Sequence, residues 1–345
     1  MARKGRSSIV HQVSQAITAI NFIGMSKRSA KYKGESGIHS IKQIQETLSA
    51  SQNFAKWVRD QHEIKSLYLL TEEHYVAYMG HLKDLGRSAG HRQNVETALR
   101  HLQKGMNLKS QAFRKDEVIF VPEKRVTDWR ELKKAEDRSY SQEEYQSILP
   151  YLSENVRDAV KLIRFMGLRV REACNVQVRH FIPAPAGGFQ LRIPEEEARG
   201  ITKGGRYRIT PVPDSFLEEI QRMLRGKATD ETVISVKKET VRKGVNDAFK
   251  KVQIQQDGRG THGFRHLYCR ERLKELLFQN DIEQEGLKLL ERVMSNRDLK
   301  RKADYGILSS KDIELYETLK AVIDQIHEEI GHGEDRWDLA ERYMR

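Results

Sequence analysis

Cysteine is scarce in this chain: Cys174 and Cys269 are the two in 345 residues. Neither belongs to a CxxC pair, so no zinc finger and no disulfide framework is expected. Both fall in apolar stretches of predicted helices, where reduced, buried thiols are the ordinary outcome. Long hydrophobic runs are missing too. No stretch approaches the ~20 apolar residues of a membrane span, and no apolar run with a cleavage site marks a secretory signal. A membrane partner is therefore not expected. Residues 1–34 carry seven Lys or Arg and no acid at all. No internal repeat is evident, which excludes solenoids and propellers.

What is present is charge. Charged residues make up 32% of the chain and hydrophobic residues 38%, polar for a globular protein but not a disordered composition. The net charge of +12 favours a polyanionic partner, because Lys and Arg neutralise phosphates and release counterions. A basic protein with no nucleic-acid role would have the same balance. The length allows two domains of ordinary size.

The pattern along the chain suggests four regions. Residues 1–37 read as a basic arm, with Ile9, Val13, Ile17 and Ile20 at helical spacing. An arm on a DNA backbone, a solvated extension and a transit peptide all have this composition. Residues 38–115 read as a small helical domain, with Ile41, Ile44 and Leu48 on one face and Phe54, Trp57 and Val58 on another. Thr71 is the expected cap of its next helix, and Gly86 and Gly90 bracket a break. Residues 116–138 lack a clear period and read as a linker. Residues 139–345 form the last region. Ser141 with Glu144 spells a capping box. Gly167 ends the helix marked by Val156, Val160, Ile163 and Met166. Phe189 to Ile193 alternates like a strand, and Ile201–Lys203, Gly204-Gly205 and Arg206–Val212 read as a β-hairpin. The fold class expected is mainly α with a small antiparallel β-sheet.

Six residues in this last region have chemistry suited to a phosphodiester. Attack on phosphorus builds negative charge on the non-bridging oxygens. Arg169 and Arg265 could meet it with planar forks that stay protonated. His262 and Arg265 stand at i and i+3, one turn apart on one helix face. His332 lies between Gly331 and Gly333, where backbone can approach a phosphate closely. Lys203, at the expected hairpin tip, could enter a groove and protonate a leaving 5′ oxygen. Tyr343 has a hydroxyl that becomes a nucleophile near positive charge or a base. Each alone has a bland reading: a surface arginine, a solvated turn lysine, a cap histidine, a core tyrosine. His327-Glu328-Glu329-Ile330-Gly331 begins like a zinc-protease helix, but glycine stands where the second histidine belongs, so no metal site is expected.

Taken in order, the set resembles the tyrosine recombinases, also called the phage-integrase family. Gly167-Leu168-Arg169-Val170-Arg171-Glu172 matches the motif of the first catalytic arginine. Lys203 matches the β-hairpin lysine, His262 and Arg265 the HxxR pair, Gly331-His332 the family's GH, and Tyr343 the nucleophile. The resemblance covers residues 139–345 by motif and 38–115 more loosely, as the helical core-binding domain. It implies a C-shaped clamp of two domains around double-stranded DNA. It implies strand cleavage and rejoining through a 3′-phosphotyrosine, with no cofactor, no ATP and no metal. A homotetramer on two DNA sites is the implied assembly, with a DNA-bending accessory protein as an optional partner. A cytoplasmic, nucleoid-associated location goes with it.

The chain also departs from the family. His262 and His332 are 70 positions apart (332 − 262), more than usual, so a helical insertion is expected near 280–325. Only Met344 and Arg345 follow Tyr343, whereas many relatives carry a tail that docks on a neighbouring subunit. The inserted helix is the expected substitute. Two rivals share the features: a type IB topoisomerase, and a DNA-binding protein without catalysis.

Overall fold

The computed structural model describes residues 8–25, 30, 32, 37–114, 116–132, 135–185 and 187–344. The chain divides into two units, Met1–Lys133 and Lys134–Arg345.

The first unit is helical. Four helices carry its core: α1 (Ile9–Ala19), α2 (Ile41–His62), α3 (Glu72–Asp84) and α4 (Ala89–Ala112). Serines start three of them. Ser8, Ser40 and Ser88 accept from the backbone N–H three residues on, at 3.2, 3.1 and 3.3 Å, satisfying donors that a helix start leaves orphaned. Val13, Ile17 and Ile20 are fully buried against Phe54, Val58, Leu99 and Leu102. α1 crosses α4 so closely that a Cβ on Gly105 would run into the Ala16 carbonyl.

Three expectations change here. Residues 9–20 are core rather than arm, because their apolar stripe has a partner in α2 and α4. The seven basic residues of the expected arm (Arg3, Lys4, Arg6, Lys27, Arg28, Lys31 and Lys33) lie outside the described residues. The first half of the expected linker is also part of this unit. Val118, Phe120 and Val121 are buried, and the backbone N–H groups of Val126 and Thr127 both donate to the buried Glu96 carboxylate at 2.9 Å. Gly90 lies inside α4, so the break is at residues 85–88.

The second unit is mainly α with a three-stranded antiparallel sheet, in the order β1 (Phe181–Pro183), β2 (Phe189–Ile193), β3 (Arg208–Pro211). Its helices are α5 (Gln142–Ile148), α6 (Glu154–Met166), α7 (Val170–Ala173), α8 (Glu195–Ala198), α9 (Asp214–Leu224), α10 (Lys238–Lys251), α11 (His262–Gln279), α12 (Glu283–Asp298), α13 (Ser310–Glu329) and α14 (Trp337–Tyr343). The capping box forms: Ser141 N–H donates to Glu144 Oε2 at 2.8 Å, and Glu144 N–H to Ser141 Oγ at 3.1 Å.

Two hydrophobic clusters fill this unit. One surrounds α6, with Leu162, Ile163 and Met166 against Leu191, Ile193, Phe216 and Phe249. The other lies between the second half of α11 and α12, α13 and α14. The expected insertion at 280–325 thus falls on α12 and most of α13, which share this core with α11 and α14. The expected hairpin differs. β3 pairs with β2, with Leu191 opposite Thr210 and Ile193 opposite Arg208. Residues 201–203 form a turn instead, closed by Thr202 Oγ1, which donates to the Ala198 and Arg206 carbonyls at 3.3 and 2.8 Å.

Candidate active site

Gly167 begins the site. It ends α6 at φ +58°, a left-handed conformation that glycine adopts without strain. A Cβ there would stand 2.5 Å from the Tyr268 ring and 2.9 Å from Ile330. The sharp stop lets the chain turn and start α7, with Arg169 at its cap position.

Glu172, in α7, is 1% exposed and gathers three arginines. Its carboxylate accepts from the Arg169 backbone N–H at 2.7 Å, from Arg169 Nη1 at 2.7 Å and from Arg208 Nη1 at 2.7 Å. Arg265 Nη1 lies 3.7 Å away. Burial alone would raise the Glu172 carboxyl, but Arg208, Arg265 and Arg169 outweigh it and hold it down at about 2. Within this group, three guanidinium groups face one carboxylate, which leaves two positive charges uncompensated. The group can therefore balance the charge of an anion.

Arg265 is fully buried. It donates from Nη1 to the Gly167 carbonyl at 2.6 Å and from Nη2 to the Ile330 carbonyl at 2.6 Å. Its Nε has no protein partner. Two helix ends, of α6 and α13, thus hold this side chain by carbonyls that helices leave unpaired. Arg208 donates from Nη2 to the Met166 carbonyl at 2.7 Å and from Nε to Thr210 Oγ1 at 3.2 Å. Thr210 in turn donates to the Glu329 carbonyl at 2.6 Å, tying β3 to the end of α13.

His332 follows α13, after Gly331 at φ +69°. Its Nε2 lies 2.9 Å from Arg169 Nη2. A guanidinium only donates, so this nitrogen accepts and carries no proton. Burial first, then the charges of Arg265 and Arg169, pull the His332 pKa down to about 2. His262 opens α11, and its Nε2 lies 3.2 Å from the Tyr343 hydroxyl. Burial, then Arg265 and His266, lower it to about 3. Both imidazoles are therefore neutral near pH 7, and of the two only His262 has its unprotonated nitrogen facing the Tyr343 hydroxyl.

Tyr343 is 4% exposed at the end of α14. Its ring meets His262 at 5.6 Å, His266 at 4.7 Å and His332 at 5.8 Å between centroids. The Arg265 guanidinium stands 5.5 Å from the ring centre. Five of the six expected residues, Arg169, His262, Arg265, His332 and Tyr343, thus come together from α7, α11, the end of α13 and α14. Lys203 is not among them. It is exposed on the turn after α8, next to Gly204 and Gly205, both at positive φ.

Sequence reasoning passed over three contributors. Arg208 alternates inward with Thr210 along β3, and an arginine at an inward strand position was the available signal. His266 stands four residues after His262, on the same helix face. It is 1% exposed, with Nε2 unpartnered, and burial lowers it to about 4. His327 is fully buried, accepts the His332 backbone N–H on its own carbonyl at 2.7 Å, and is also lowered to about 4, chiefly by burial.

No family model and no curated protein matches this sequence. Solved structures do match the fold. XerH site-specific recombinase bound to difH substrate, a pre-cleavage complex, aligns at 15% identity over 98% of this chain and 91% of that one, with a TM-score of 0.55. A lambda integrase dimer bound to a COC′ core site aligns at 17% identity over 91% and 75%, with a TM-score of 0.54. A lambda integrase tetramer bound to a Holliday junction aligns at 14% over 98% and 78%, with a TM-score of 0.53. The chain has the tyrosine-recombinase fold.

Proposed function

We propose that this protein is a site-specific DNA recombinase that cleaves and rejoins duplex DNA through a tyrosine-linked intermediate. The observation that carries the reading is the Tyr343 hydroxyl 3.2 Å from a neutral His262 nitrogen, beside an arginine cluster short of negative charge. The neighbours of the same fold are recombinases captured on DNA, which supports duplex DNA as the substrate class here.

In this reading Tyr343 Oη attacks the scissile phosphorus. The P–Oη bond forms and the P–O5′ bond breaks, leaving a 3′-phosphotyrosine and a 5′ hydroxyl. His262 assists transfer of the phenolic proton once the phosphate's negative charge offsets the arginines that hold its pKa down in the empty site. Arg169 and Arg265 donate to the non-bridging oxygens as charge builds there, and donors preorganised in this way are worth about 3–4 kcal/mol each. His332 steers Arg169 through Nε2, which leaves the Nδ1 N–H as its donor for a phosphate oxygen. Lys203 gives a proton to the 5′ oxygen, with its turn brought to the site by the bound duplex. The phosphodiester energy stays in the covalent bond, so rejoining is the reverse of the same step.

Strand exchange would assemble four protomers on two DNA sites. The lambda integrase tetramer on a Holliday junction supports that arrangement. A DNA-bending accessory protein stays a proposal resting on the family resemblance alone.

The test uses nicked duplexes tiled from the DNA flanking the protein's own gene. A nick beside the cleavage point lets the leaving fragment escape and traps the adduct. A denaturant-resistant protein–DNA adduct that disappears in Tyr343→Phe is the expected result. Specific binding without any adduct would favour a DNA-binding protein without catalysis. Relaxation of supercoils with no recombinant product would favour the topoisomerase reading.

A further inference from the structure

Tyr343 is carried by α14, a helix of seven residues. A helix that short has no stability of its own in water. Its place is fixed by what it packs against, which is α11, α12 and α13. Leu339 and Ala340 are buried in the cluster those helices form, and the Trp337 ring stacks on Tyr316 of α13 at 5.7 Å.

Polar ties reinforce the seat at both ends. Before α14, Lys320 on α13 bridges Asp324 at 2.9 Å and Asp335 at 2.8 Å. The Asp335 backbone N–H donates to Asp324 Oδ1 at 2.9 Å. Near the other end, Arg297 in the last turn of α12 pairs through Nε with Glu341, and both side chains are mostly buried, at 29% and 25% exposure. Glu341 and Tyr343 are two residues apart, so they project about 200° from each other around the helix axis. The pair therefore grips the face of α14 opposite the tyrosine and sets the rotation of the helix.

We propose that α12 and α13 complete the seat of the nucleophile beside α11 and that the Arg297–Glu341 pair is its latch, making both positioning residues for Tyr343. The proposal rests on the reading of Tyr343 as nucleophile. The hydroxyl lies far from the helix axis, so rotating α14 by 10° displaces it by about 1–2 Å. Misplacement on that scale costs roughly 10²-fold in a step that needs near-attack geometry. The segment expected as an insertion thus has a catalytic purpose within its own chain.

A charge swap tests this: Arg297→Glu, Glu341→Arg, and the two together, with Lys288→Glu on exposed α12 surface as the control for changed net charge. Two quantities are read. One is the rate of adduct formation on the nicked duplex at saturating protein. The other is backbone hydrogen exchange in residues 337–344. Each single swap is expected to slow the adduct at least 10-fold and to speed exchange in 337–344, with the unfolding midpoint close to that of the unaltered protein. The double swap restores both, and Lys288→Glu changes neither. Single swaps that cleave and exchange normally, or a double swap that restores nothing, overturn the latch. If no protein forms an adduct while exchange still follows the swap, the latch stands and the reading of Tyr343 as nucleophile falls.

Discussion

Glu172 holds Arg169 and Arg208 at 2.7 Å and keeps Arg265 within 3.7 Å. Glu172→Gln removes the only carboxylate among three guanidinium groups and leaves their repulsion buried. The expected loss is about 3–5 kcal/mol, the range for breaking a buried ion pair from one side, read as a lower midpoint in urea unfolding. Arg265→Lys tests a different property. A lysine is a point charge and cannot serve the Gly167 and Ile330 carbonyls with a planar fork. Adduct formation should fall at least 10²-fold, about 3 kcal/mol in the transition state, while duplex affinity changes little. Gly167→Ala adds a Cβ at φ +58° against Tyr268. It should destabilise by at least about 1 kcal/mol from the backbone alone. An unfolding midpoint equal to that of the unaltered protein would sink the argument that this turn needs glycine.

At the scale of elements, α1 gives the sharpest test of how the first unit is built. Ile17 is 1% exposed between α2 and α4. Ile17→Ala should cost about 2–5 kcal/mol; a free arm would lose nothing measurable in the same thermal unfolding experiment. The difference also shows what the sequence could tell. The helical period of Ile9, Val13 and Ile17 was plain, but period alone does not say whether a stripe has a partner. That depends on Gly105, some ninety residues away, being small enough to let α1 approach. The capping box at Ser141 and the stop at Gly167 were legible because both are local. The hairpin was misread because two glycines signal a turn without naming the strand that β3 will pair with. The site residues could be found from motif order, yet their contacts could not, since Arg169 meets His332 across 163 positions. Arg208 went unnoticed because a buried arginine makes sense only once Glu172 and the Met166 carbonyl are beside it.

Across the second unit, all five histidines share one electrostatic condition, and burial lowers His180 as it does the other four. His262 and His332 are lowered to about 3 and about 2, and His266 and His327 to about 4. Their ordinary value is 6.5. Between about 4 and 6.5 the unfolded chain binds protons that the folded chain refuses, so stability falls as pH drops through that window. Thermal unfolding followed from pH 7 to pH 4 should show a steep loss. His327→Gln, which removes a buried group able to take up a proton on unfolding, should flatten it. The opposite slope would mean that these imidazoles are charged in the folded protein. Duplex binding should also weaken strongly between low and moderate salt, as counterion release demands of a chain with 61 basic and 49 acidic residues.

The five convergent groups come from α7, α11, the turn after α13, and α14, and the cluster that buries Tyr343 joins α11, α12, α13 and α14. Contacts this distant in sequence form late in folding, because each requires a large loop to close first. A partly folded chain therefore has arginines without a tyrosine, or a tyrosine without arginines. Under the recombinase reading this acts as a safety catch: a copy whose site is not fully assembled is unable to break DNA.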